Sequence, residues 1–362
     1  MDKVHFPYRA ASHLTLLHVV AESGAWEKHG LDVDYDYQIS SSDAHRLVPT
    51  AEVEFVGGNH VSTYAHRARG DSWVYLGQTL NQVNTKLVVR PDSGINGVAD
   101  LREKVVGTGG SHPTLNDWLY LKQRGLDVDR DDVVIAPQRK NKKGSMDAAD
   151  PNEKREPMWK LIRDRKVDAA FLTAPEHLFA ADAGLKCIDI EPQQMIWFTT
   201  VSSSLTFVEK HPDIVQRFLK GMLEGIHFFK TERDKSINII RQRYTKEGPL
   251  SLAHATYTYE SLVNILEPKL YPSMTAIANV YEEAKRQDAD AMKVNPMELW
   301  DMHHIRHLDD TGFIDNLYRS NTRKMRDVMD QPVLDKEQLK KDVVAHMKAC
   351  GHPEGEECGC ED

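Results

Sequence analysis

The stretch KVDAAFLTAPE, at residues 166–176, contains the pattern that decides the fold of this chain. Its apolar run at 167–172 enters the small-residue turn Thr173-Ala174-Pro175, and a helical pattern then continues to Ala183. Proline suits the first turn of a helix, where a backbone N–H group would have no partner within the helix. The stretch therefore predicts a buried strand, a tight turn and a helix.

The same order of strand, turn and helix recurs through the N-terminal half of the chain. It is predicted at 3–9 before a helix at 12–29, at 53–56 before Gly57-Gly58-Asn59, and at 104–108 before a glycine-rich turn. The predicted helices stop at glycine, the residue that most readily adopts the left-handed conformation at a helix end. Repeated alternation of this kind predicts an α/β protein with mainly parallel sheets.

The pattern changes after Met195. One long extended segment is predicted at 197–207, and the sequence beyond His211 is predicted to be helical. Large apolar residues recur there every four positions, for example at Phe218 and Met222, which is typical of a helix with one buried face. We therefore expect a helical region to follow the α/β part of the chain.

The composition is that of an ordinary globular protein. The 362 residues are 40% hydrophobic and 28% charged, and the formal net charge is −9. A negative balance gives no general attraction for nucleic acid or anionic lipid. No apolar run reaches the roughly 18 residues of a membrane-spanning helix. We expect no nucleic-acid partner and no membrane insertion, and the sequence leaves open whether the chain forms a homodimer.

The N-terminus bears on the location of the protein. The first residues, MDKVHFP, lack the basic start and the apolar centre of a secretory signal peptide. We therefore expect a cytoplasmic protein, or a periplasmic one if a signal peptide has been removed ahead of this sequence.

Four predicted strand-to-helix turns, at 11–12, 58–59, 110–112 and 173–174, leave backbone N–H groups at one edge of a sheet. Ligands of open α/β sheets bind at that edge, and helix N-termini favour acidic groups such as carboxylate or sulfonate. The turns thus predict a site for a small organic anion, with an aromatic side chain available for stacking. The predicted ligand-binding residues are Ser12, Asn59, His60, Gly110, Ser111, Thr173 and Trp197.

Four segments resemble one branch of the type-II periplasmic-binding-protein fold, which contains nitrate, sulfonate and taurine receptors and thiamine-pyrimidine-synthase-like (NMT1/THI5-like) proteins. They are AESGAWEKHGLDVDY at 21–35, AHRARGD at 65–71, KVDAAFLTAPE at 166–176 and FVEKHPDIVQRFLKGMLEGI at 207–226. The segments occur in the order found in that family, and the resemblance covers about residues 3–240.

The resemblance implies two lobes with a ligand cleft between them that closes by a hinge. The chain is expected to cross between the lobes near Val88 and to return near Thr199. The implied boundaries are 1–88 and 200–310 for lobe I, 89–199 for lobe II, and 311–362 for a helical extension with a cysteine-rich tail.

Partial similarity to hydroxybiphenyl-sulfinate desulfinases implies a role for His45. It stands twelve residues before Gly57, the spacing of that family's active-site histidine from its Gly-Gly turn. The family's nucleophilic cysteine falls at Ala11 and its active-site arginine at Phe55, so thiol-based desulfination is not expected. The cysteine-rich loop of pyrimidine synthases falls at 195–199, where this chain has no cysteine.

Imidazole groups are dense around the predicted turns. The ordinary histidine pKa near 6.5 suits proton transfer at neutral pH. His45, His13 and His112, together with Glu176 at the start of a predicted helix, are therefore the predicted catalytic residues. This pattern favours a cytosolic enzyme of decarboxylase or lyase type that holds a small, aromatic organic acid in the cleft.

Two alternatives use the same cleft. One is the substrate-binding component of an ABC transporter, which needs no chemistry and therefore no catalytic residue. The other is a pyrimidine-synthase-like enzyme, which the missing cysteine loop disfavours.

The C-terminal tail suggests zinc as a cofactor. Cys350, His352, Cys358 and Cys360 offer four ligands within eleven residues, a number that suits tetrahedral zinc. Interspersed glycines let so short a segment turn tightly. No other cofactor is indicated by the sequence.

We expect protein purified without added metal to contain about one zinc ion per chain, bound by this tail. Thiols must lose their protons to bind, so the zinc should dissociate as the pH falls. Elemental analysis at two pH values measures both effects. A zinc content near zero, with the three tail thiols freely alkylated, would show that the tail binds no metal.

Overall fold

The computed structural model describes residues 1–108, 115–130, 132–137, 156–244 and 248–319. The chain forms two compact units, Met1–Thr311 and Gly312–Asp362. The first unit contains all the elements discussed below. The four predicted zinc ligands of the tail lie outside the described residues.

Ten strands form three sheets in the described part of the chain. The strands are β1 (Asp2–His5), β2 (Leu31–Asp34), β3 (Val56–Gly57), β4 (Trp73–Val83), β5 (Lys86–Val89), β6 (Val105–Thr108), β7 (Val134–Pro137), β8 (Ala169–Leu172), β9 (Lys186–Asp189) and β10 (Gln193–Ser204). One sheet pairs β1 with β2, a second has the order β3-β10-β4, and the third has the order β7-β6-β8-β5-β9.

Thirteen α-helices accompany these strands, again counted within the described residues. They are α1 (Leu14–Glu22), α2 (Ala25–Lys28), α3 (Ser41–Leu47), α4 (Thr63–Ala68), α5 (Leu115–Gln123), α6 (Met158–Arg163), α7 (Glu176–Asp182), α8 (Leu205–Lys210), α9 (Pro212–Thr231), α10 (Arg233–Arg243), α11 (Leu252–Val263), α12 (Met274–Gln287) and α13 (His303–Asp310). None of the helices in this part of the chain combines the length and apolar character needed to span a membrane.

The predicted α/β fold is confirmed. The strand and helix expected around Thr173-Ala174-Pro175 are β8 and α7. The helix predicted at 12–29 is wrong in one respect, because it is divided into α1 and α2. Gly24 separates the two helices with a φ of 72°, a left-handed conformation that glycine adopts without steric cost.

The expectation of mainly parallel sheets is wrong for the two larger sheets. In the three-stranded sheet, β10 is antiparallel to both β3 and β4. In the five-stranded sheet, β5 is antiparallel to β8 and β9, whereas β6 is parallel to β7 and β8. The reason is the path of the chain, since β4 carries it out of the three-stranded sheet and β10 carries it back.

The chain passes between the two larger sheets twice. It leaves the three-stranded sheet between Val83 and Lys86 and returns between Asp189 and Gln193. The expected crossing points, Val88 and Thr199, lie inside β5 and β10, close to these connections. The lobe boundaries implied by the resemblance remain predictions.

Phe218 on α9 joins the helical region to the N-terminal part of the chain. Its ring stacks on Phe55 with centroids 4.1 Å apart and on Trp26 with centroids 5.6 Å apart, and it meets Phe6 edge to face at 4.9 Å. All four side chains are buried. Each contributes roughly 1.5–3 kcal/mol by leaving water. The amphipathic helix predicted after His211 is therefore α9, and its apolar face packs on this aromatic group.

Two glycines let α9 lie close to α1 and α2. A Cβ atom on Gly225 would lie 2.6 Å from a methyl carbon of Val20, and one on Gly221 would overlap the indole ring of Trp26. Carbon atoms in favourable contact are about 3.5–4.0 Å apart. The two glycines are four residues apart and so share one face of the helix.

We expect Gly225→Ala to lower the free energy of unfolding by about 1–3 kcal/mol, the usual cost of overfilling a packed contact. The loss should appear although alanine is the better helix former by about 1 kcal/mol. Denaturant unfolding measures the change. Gly97→Ala is the matched control, because Gly97 has extended backbone and open space at its Cβ position. Equal stability of the two variants would contradict the close-packing argument.

The C-terminal helices contact the part of the chain around the five-stranded sheet as well. His254 on α11 pairs with Asp182 on α7 at 3.0 Å, and Arg286 on α12 lies over the ring of Trp118 on α5 at 5.4 Å. On the other side, the amide of Asn279 on α12 donates to the carbonyl of Gln194 on β10. These helices therefore span the region where the two larger sheets meet.

Candidate functional site

A cavity of about 140 Å³ lies where α1, the turn between β8 and α7, and helices α10 and α11 come together. A smaller cavity of about 40 Å³ adjoins it and is bordered by β4 and β10. The residues common to both linings are Ser12, Thr15, Thr173, Ala174 and Thr258. We call the two together the cleft cavity.

The walls of the cleft cavity come from both of the larger sheets. Ser12 lies in the short 3-10 helix Ala11–His13 that leads into α1. Leu80 on β4 and Trp197 on β10 belong to the three-stranded sheet. Thr173 follows β8 of the five-stranded sheet. The cleft cavity thus lies where the resemblance places the ligand cleft.

Hydroxyl groups dominate the polar lining of the cleft cavity. Ser12, Thr15, Thr173 and Thr258 contribute hydroxyl groups to both cavities, Tyr244 adds one to the larger cavity and Ser261 one to the smaller. Thr258 is 2% exposed, and its Oγ1 has no hydrogen-bond partner among the described residues. A buried polar atom without a partner costs about 1–3 kcal/mol, so a ligand that bonds to Thr258 would recover that cost.

Arg243 is the cation in the wall of the larger cavity, and its charge is already balanced. Its Nε lies 2.5 Å from Oε1 of Glu22. Arg243 also interacts with Tyr35. The hydroxyl oxygen of Tyr35 lies 3.0 Å from Nδ1 of His18. Arg243 therefore acts mainly as a structural part of this wall.

Four of the predicted site residues line the cleft cavity, namely Ser12, Thr173, Glu176 and Trp197. Their proposed roles in binding and catalysis remain predictions. The predicted site residues that fall outside the described part of the chain are Gly110, Ser111 and His112. The others, which are not part of this lining, are His13, His45, Asn59 and His60.

A second group of polar residues surrounds the Gly57-Gly58 turn. We call it the basic cluster, and its members are Arg9, His13, Asn59, His60 and Thr199. A Cβ atom on Gly57 would lie 3.4 Å from Nδ1 of His13 and 3.3 Å from the methyl group of Thr199. One on Gly58 would lie 2.8 Å from Cγ of Arg9. The two glycines therefore let the backbone approach these side chains closely.

The basic cluster adjoins the cleft cavity. The ring of His13 lies 5.5 Å from that of Phe198, which lines the smaller cavity, and His13 follows directly after Ser12. His60 is held in the cluster by a 2.8 Å hydrogen bond between its Nδ1 atom and Oγ1 of Thr200. The cluster and the cavity thus share one wall.

Arg9 is a half-buried cation, and no described carboxylate lies within salt-bridge distance of it. Its guanidinium group donates to the carbonyl oxygen of Ile39, and Asp43 acts on it only through the longer-range field. Burial lowers the pKa of Arg9 to about 10, so the group remains charged at neutral pH. The cluster therefore carries an unbalanced positive charge.

Three other members of the basic cluster have buried polar atoms without hydrogen-bond partners among the described residues. These atoms are Nδ1 of His13, both polar atoms of the Asn59 side chain, and Oγ1 of Thr199. Asn59 is 7% exposed and Thr199 is fully buried. Most buried polar groups in proteins form hydrogen bonds, so a concentration of unpartnered ones indicates a place for a bound molecule.

The structure corrects the argument for proton transfer. Burial, with help from neighbouring cationic groups, lowers the pKa of His13 and of His45 to about 3 and that of His60 to about 4. These values lie well below the ordinary histidine pKa near 6.5, on which a role in proton transfer at neutral pH depends. At neutral pH these three imidazoles are uncharged and so are poor proton donors.

We expect stability to fall as the pH drops from about 6.5 to about 4. The unfolded chain, with histidine pKa values near 6.5, takes up protons before the folded chain does, so stabilisation is complete above that pH and lost below it. Thermal unfolding across this range measures the effect. His60→Gln should flatten the dependence, whereas His303→Gln, at an exposed position, should not. An unfolding temperature that is independent of pH would contradict the lowered pKa values.

Sequence reasoning missed Arg9, Thr199, Thr258 and Arg243. A signal existed for Arg9, because it ends the first predicted strand immediately before a predicted ligand-binding turn. No comparable signal exists for Thr258, since helical periodicity does not show which helix face meets the cleft.

Comparison with known proteins supports the resemblance seen in the sequence. Residues 12–150 match the model of a family described as NMT1/THI5 like. No curated protein matches the sequence at a significant level.

Solved structures with a similar fold cover most of this chain. A protein from Bordetella bronchiseptica aligns with 17% identity and a TM-score of 0.63 over 86% of this chain and 98% of its own. The alkanesulfonate-binding protein SsuA from Xanthomonas axonopodis, bound to MOPS, aligns with 13% identity and a TM-score of 0.61 over 83% of this chain and 99% of its own. The desulfurization enzyme DSZB aligns with 16% identity and a TM-score of 0.56 over 85% of this chain and 99% of its own.

At these identities the likeness shows the fold and not the activity. The matched family segment includes the turns at Ser12 and at Gly57-Gly58, and the structural alignments extend to the C-terminal helices. This chain therefore has the type-II periplasmic-binding-protein fold, and its residues 12–150 match the NMT1/THI5-like family.

Proposed function

We propose that this protein binds a small organic anion as the substrate-binding component of an ABC transporter. The observation that carries the proposal is the unbalanced charge of Arg9 beside the cleft cavity. Sulfonate-binding proteins recur among the similar structures, including an SsuA protein bound to MOPS, which is itself a sulfonate. DSZB with the same fold binds biphenyl-2-sulfinic acid. Sulfonate, sulfinate and carboxylate are the acid groups that this comparison favours.

Arg9 is the residue that we expect to hold the acid group. A partly desolvated charge without a counterion is costly, and an anion at this position removes that cost. The planar guanidinium group can donate two parallel hydrogen bonds to an oxyacid. The amide group of Asn59 and the hydroxyl group of Thr199 lie in the same cluster and supply further donors.

The neutral imidazoles fit this role better than catalysis. At neutral pH an uncharged imidazole carries one N–H donor, and the unpartnered Nδ1 of His13 is a position from which it can donate to an oxyacid. A bound anion would also offset the positive field that lowers the pKa values of His13 and His60.

The organic part of the ligand has room in the cleft cavity. Its lining combines the indole of Trp197 and aliphatic side chains such as Leu80 with the hydroxyl groups of Ser12 and Thr258. Such a mixture of apolar surface and a few polar groups is typical of small-molecule sites. A volume near 140 Å³ suits a small molecule rather than a peptide.

The transport hypothesis has more support than the lyase hypothesis that the sequence favoured. A lyase of that kind needs a group that gives up a proton near neutral pH, and burial removes this property from His13 and His45. The structural neighbours are mostly transport receptors. As such a receptor, the protein would act in the periplasm or at the outer face of the membrane.

We expect calorimetry to show binding of small alkanesulfonates or aromatic carboxylates in preference to neutral analogues of the same size. Arg9→Gln should weaken binding of the preferred anion by about 10–100-fold, the value of a charge-assisted hydrogen bond. Arg233→Gln is the matched control, because Arg233 lies on α10, pairs with Glu260 and does not line the cleft cavity.

Two outcomes would contradict the proposal. Preference for neutral or cationic compounds would exclude anion recognition, and equal affinities in the two arginine variants would exclude Arg9. Recovery of the ligand after prolonged incubation separates transport from catalysis, since a receptor returns it unchanged. Chemical conversion that depends on His45 would instead support the lyase interpretation.

A further inference from the structure

A third group of polar residues lies where α3, α4 and the start of β4 meet. The ring of His45 on α3 stacks on that of His66 on α4, with centroids 3.5 Å apart and planes 6° from parallel. Asp71 precedes β4 and lies beside His66. One potential ligand atom from each of these three residues lies within 4.8 Å of the other two. We call this group the histidine pair site.

One nitrogen of each imidazole already has a hydrogen-bond partner. Nε2 of His45 lies 2.8 Å from Oγ of Ser62, and Nδ1 of His66 lies 2.7 Å from Oδ2 of Asp71. Because a carboxylate oxygen can only accept, Nδ1 of His66 carries the proton in this hydrogen bond. The lone pair of His66 is therefore on Nε2.

The second nitrogen of His45 is its Nδ1 atom, which is buried and has no hydrogen-bond partner. If Nε2 of His45 donates to the hydroxyl oxygen of Ser62, the lone pair of His45 lies on Nδ1. Each ring then presents one free lone pair, on two rings whose centroids are 3.5 Å apart.

Histidines that bind metal ions show this arrangement. One ring nitrogen binds the ion, and the other donates its N–H group to a carboxylate, a carbonyl or a hydroxyl group that fixes the tautomer. Asp71 occupies that supporting position for His66, and Ser62 occupies it for His45. The unpartnered Nδ1 of His45 is an independent indication that a bound atom belongs here.

We propose that His45, through Nδ1, and His66, through Nε2, bind a divalent transition-metal ion, with Asp71 orienting His66. Imidazole nitrogens suit Zn²⁺, Co²⁺, Ni²⁺ and Cu²⁺. The carboxylate of Asp71 offsets part of the charge of the ion. This compensation matters because the positive field of Arg9 reaches His45. Water completes the coordination on the exposed side.

Binding requires the two rings to tilt away from the stacked geometry. The lone pair of an imidazole lies in the plane of its ring, so two parallel rings cannot both direct a lone pair at one ion. The side chains of His66 and Asp71 are 25% and 35% exposed, which leaves room for this movement. The ring of His45 packs edge to face with that of the buried Trp73, with centroids 5.1 Å apart. We therefore expect the ring of His66 to be the one that moves.

The test uses Zn²⁺ as the probe and the full chain, with three of the four predicted ligands of the tail removed by Cys350→Ser, Cys358→Ser and Cys360→Ser. We expect calorimetry to show about one Zn²⁺ bound per chain in this background. His66→Gln and Asp71→Asn should each weaken binding by about 10–100-fold. Both positions are partly exposed, and unchanged thermal unfolding without metal verifies that each variant folds.

His303→Gln is the matched control. His303 belongs to another group of potential ligands, with Asp301 and His304, which shares no residue with the histidine pair site. Its substitution should leave the affinity for Zn²⁺ unchanged. The proposal would be overturned if His303→Gln lost affinity and His66→Gln did not. It would also be overturned if no Zn²⁺ bound in the background with the three tail cysteines substituted.

Ni²⁺ provides a second readout. A paramagnetic ion bound by His45 should quench the fluorescence of Trp73, and Trp73→Phe should remove the quenched component. Quenching that persists unchanged in Trp73→Phe would place the ion elsewhere. Neither measurement involves an organic anion, so failure here leaves the proposed transport function standing, and failure to bind anions leaves the metal site standing.

Discussion

The close approach of the Gly57-Gly58 turn to Arg9 and His13 is the constraint on which the candidate site depends. The turn is held from two directions, since the amide of Arg9 donates to the carbonyl of Gly57 and the amide of Gly58 donates to that of Thr200. Gly58 has a φ of 122°, which side chains rarely allow, and a Cβ atom there would lie too close to Arg9. Glycine at this turn thus brings β1, β3 and β10 to one point.

The electrostatics of the site follow from that convergence. Arg9, His13 and His60 lie together in a place from which water is largely excluded. Burial and mutual repulsion keep both imidazoles neutral at neutral pH, so the guanidinium group is the one of the three that stays charged. A fixed positive charge surrounded by neutral donors is suited to hold an anion. At the same lowered pKa values the imidazolium forms are scarcely populated at neutral pH, so these groups carry no acidic proton to transfer, and burial favours binding over acid catalysis.

The C-terminal helices complete the site that the two sheets begin. Helices α10 and α11 form one wall of the cleft cavity, and Thr258 reaches it from α11. The same helices contact α7 beyond the cleft, through His254 and Asp182. Moving α7 away from α11 would therefore break the ion pair between His254 and Asp182. The packing of Phe218 against the N-terminal aromatic residues anchors α9, from which these helices continue.

The sequence by itself determined the order of the local elements and the family resemblance, because turn residues and apolar periodicity are local properties. It also indicated the turns at Ser12 and Thr173 that line the cleft cavity, since both follow predicted strands. Only the tertiary structure decided that the larger sheets are mixed or antiparallel, and that Arg9 meets the Gly57-Gly58 turn. It alone decided that His45 is half-buried and uncharged at neutral pH. Strand direction, burial and the resulting pKa values depend on contacts between residues far apart in the chain, and spacing along a sequence does not record how much water such contacts exclude.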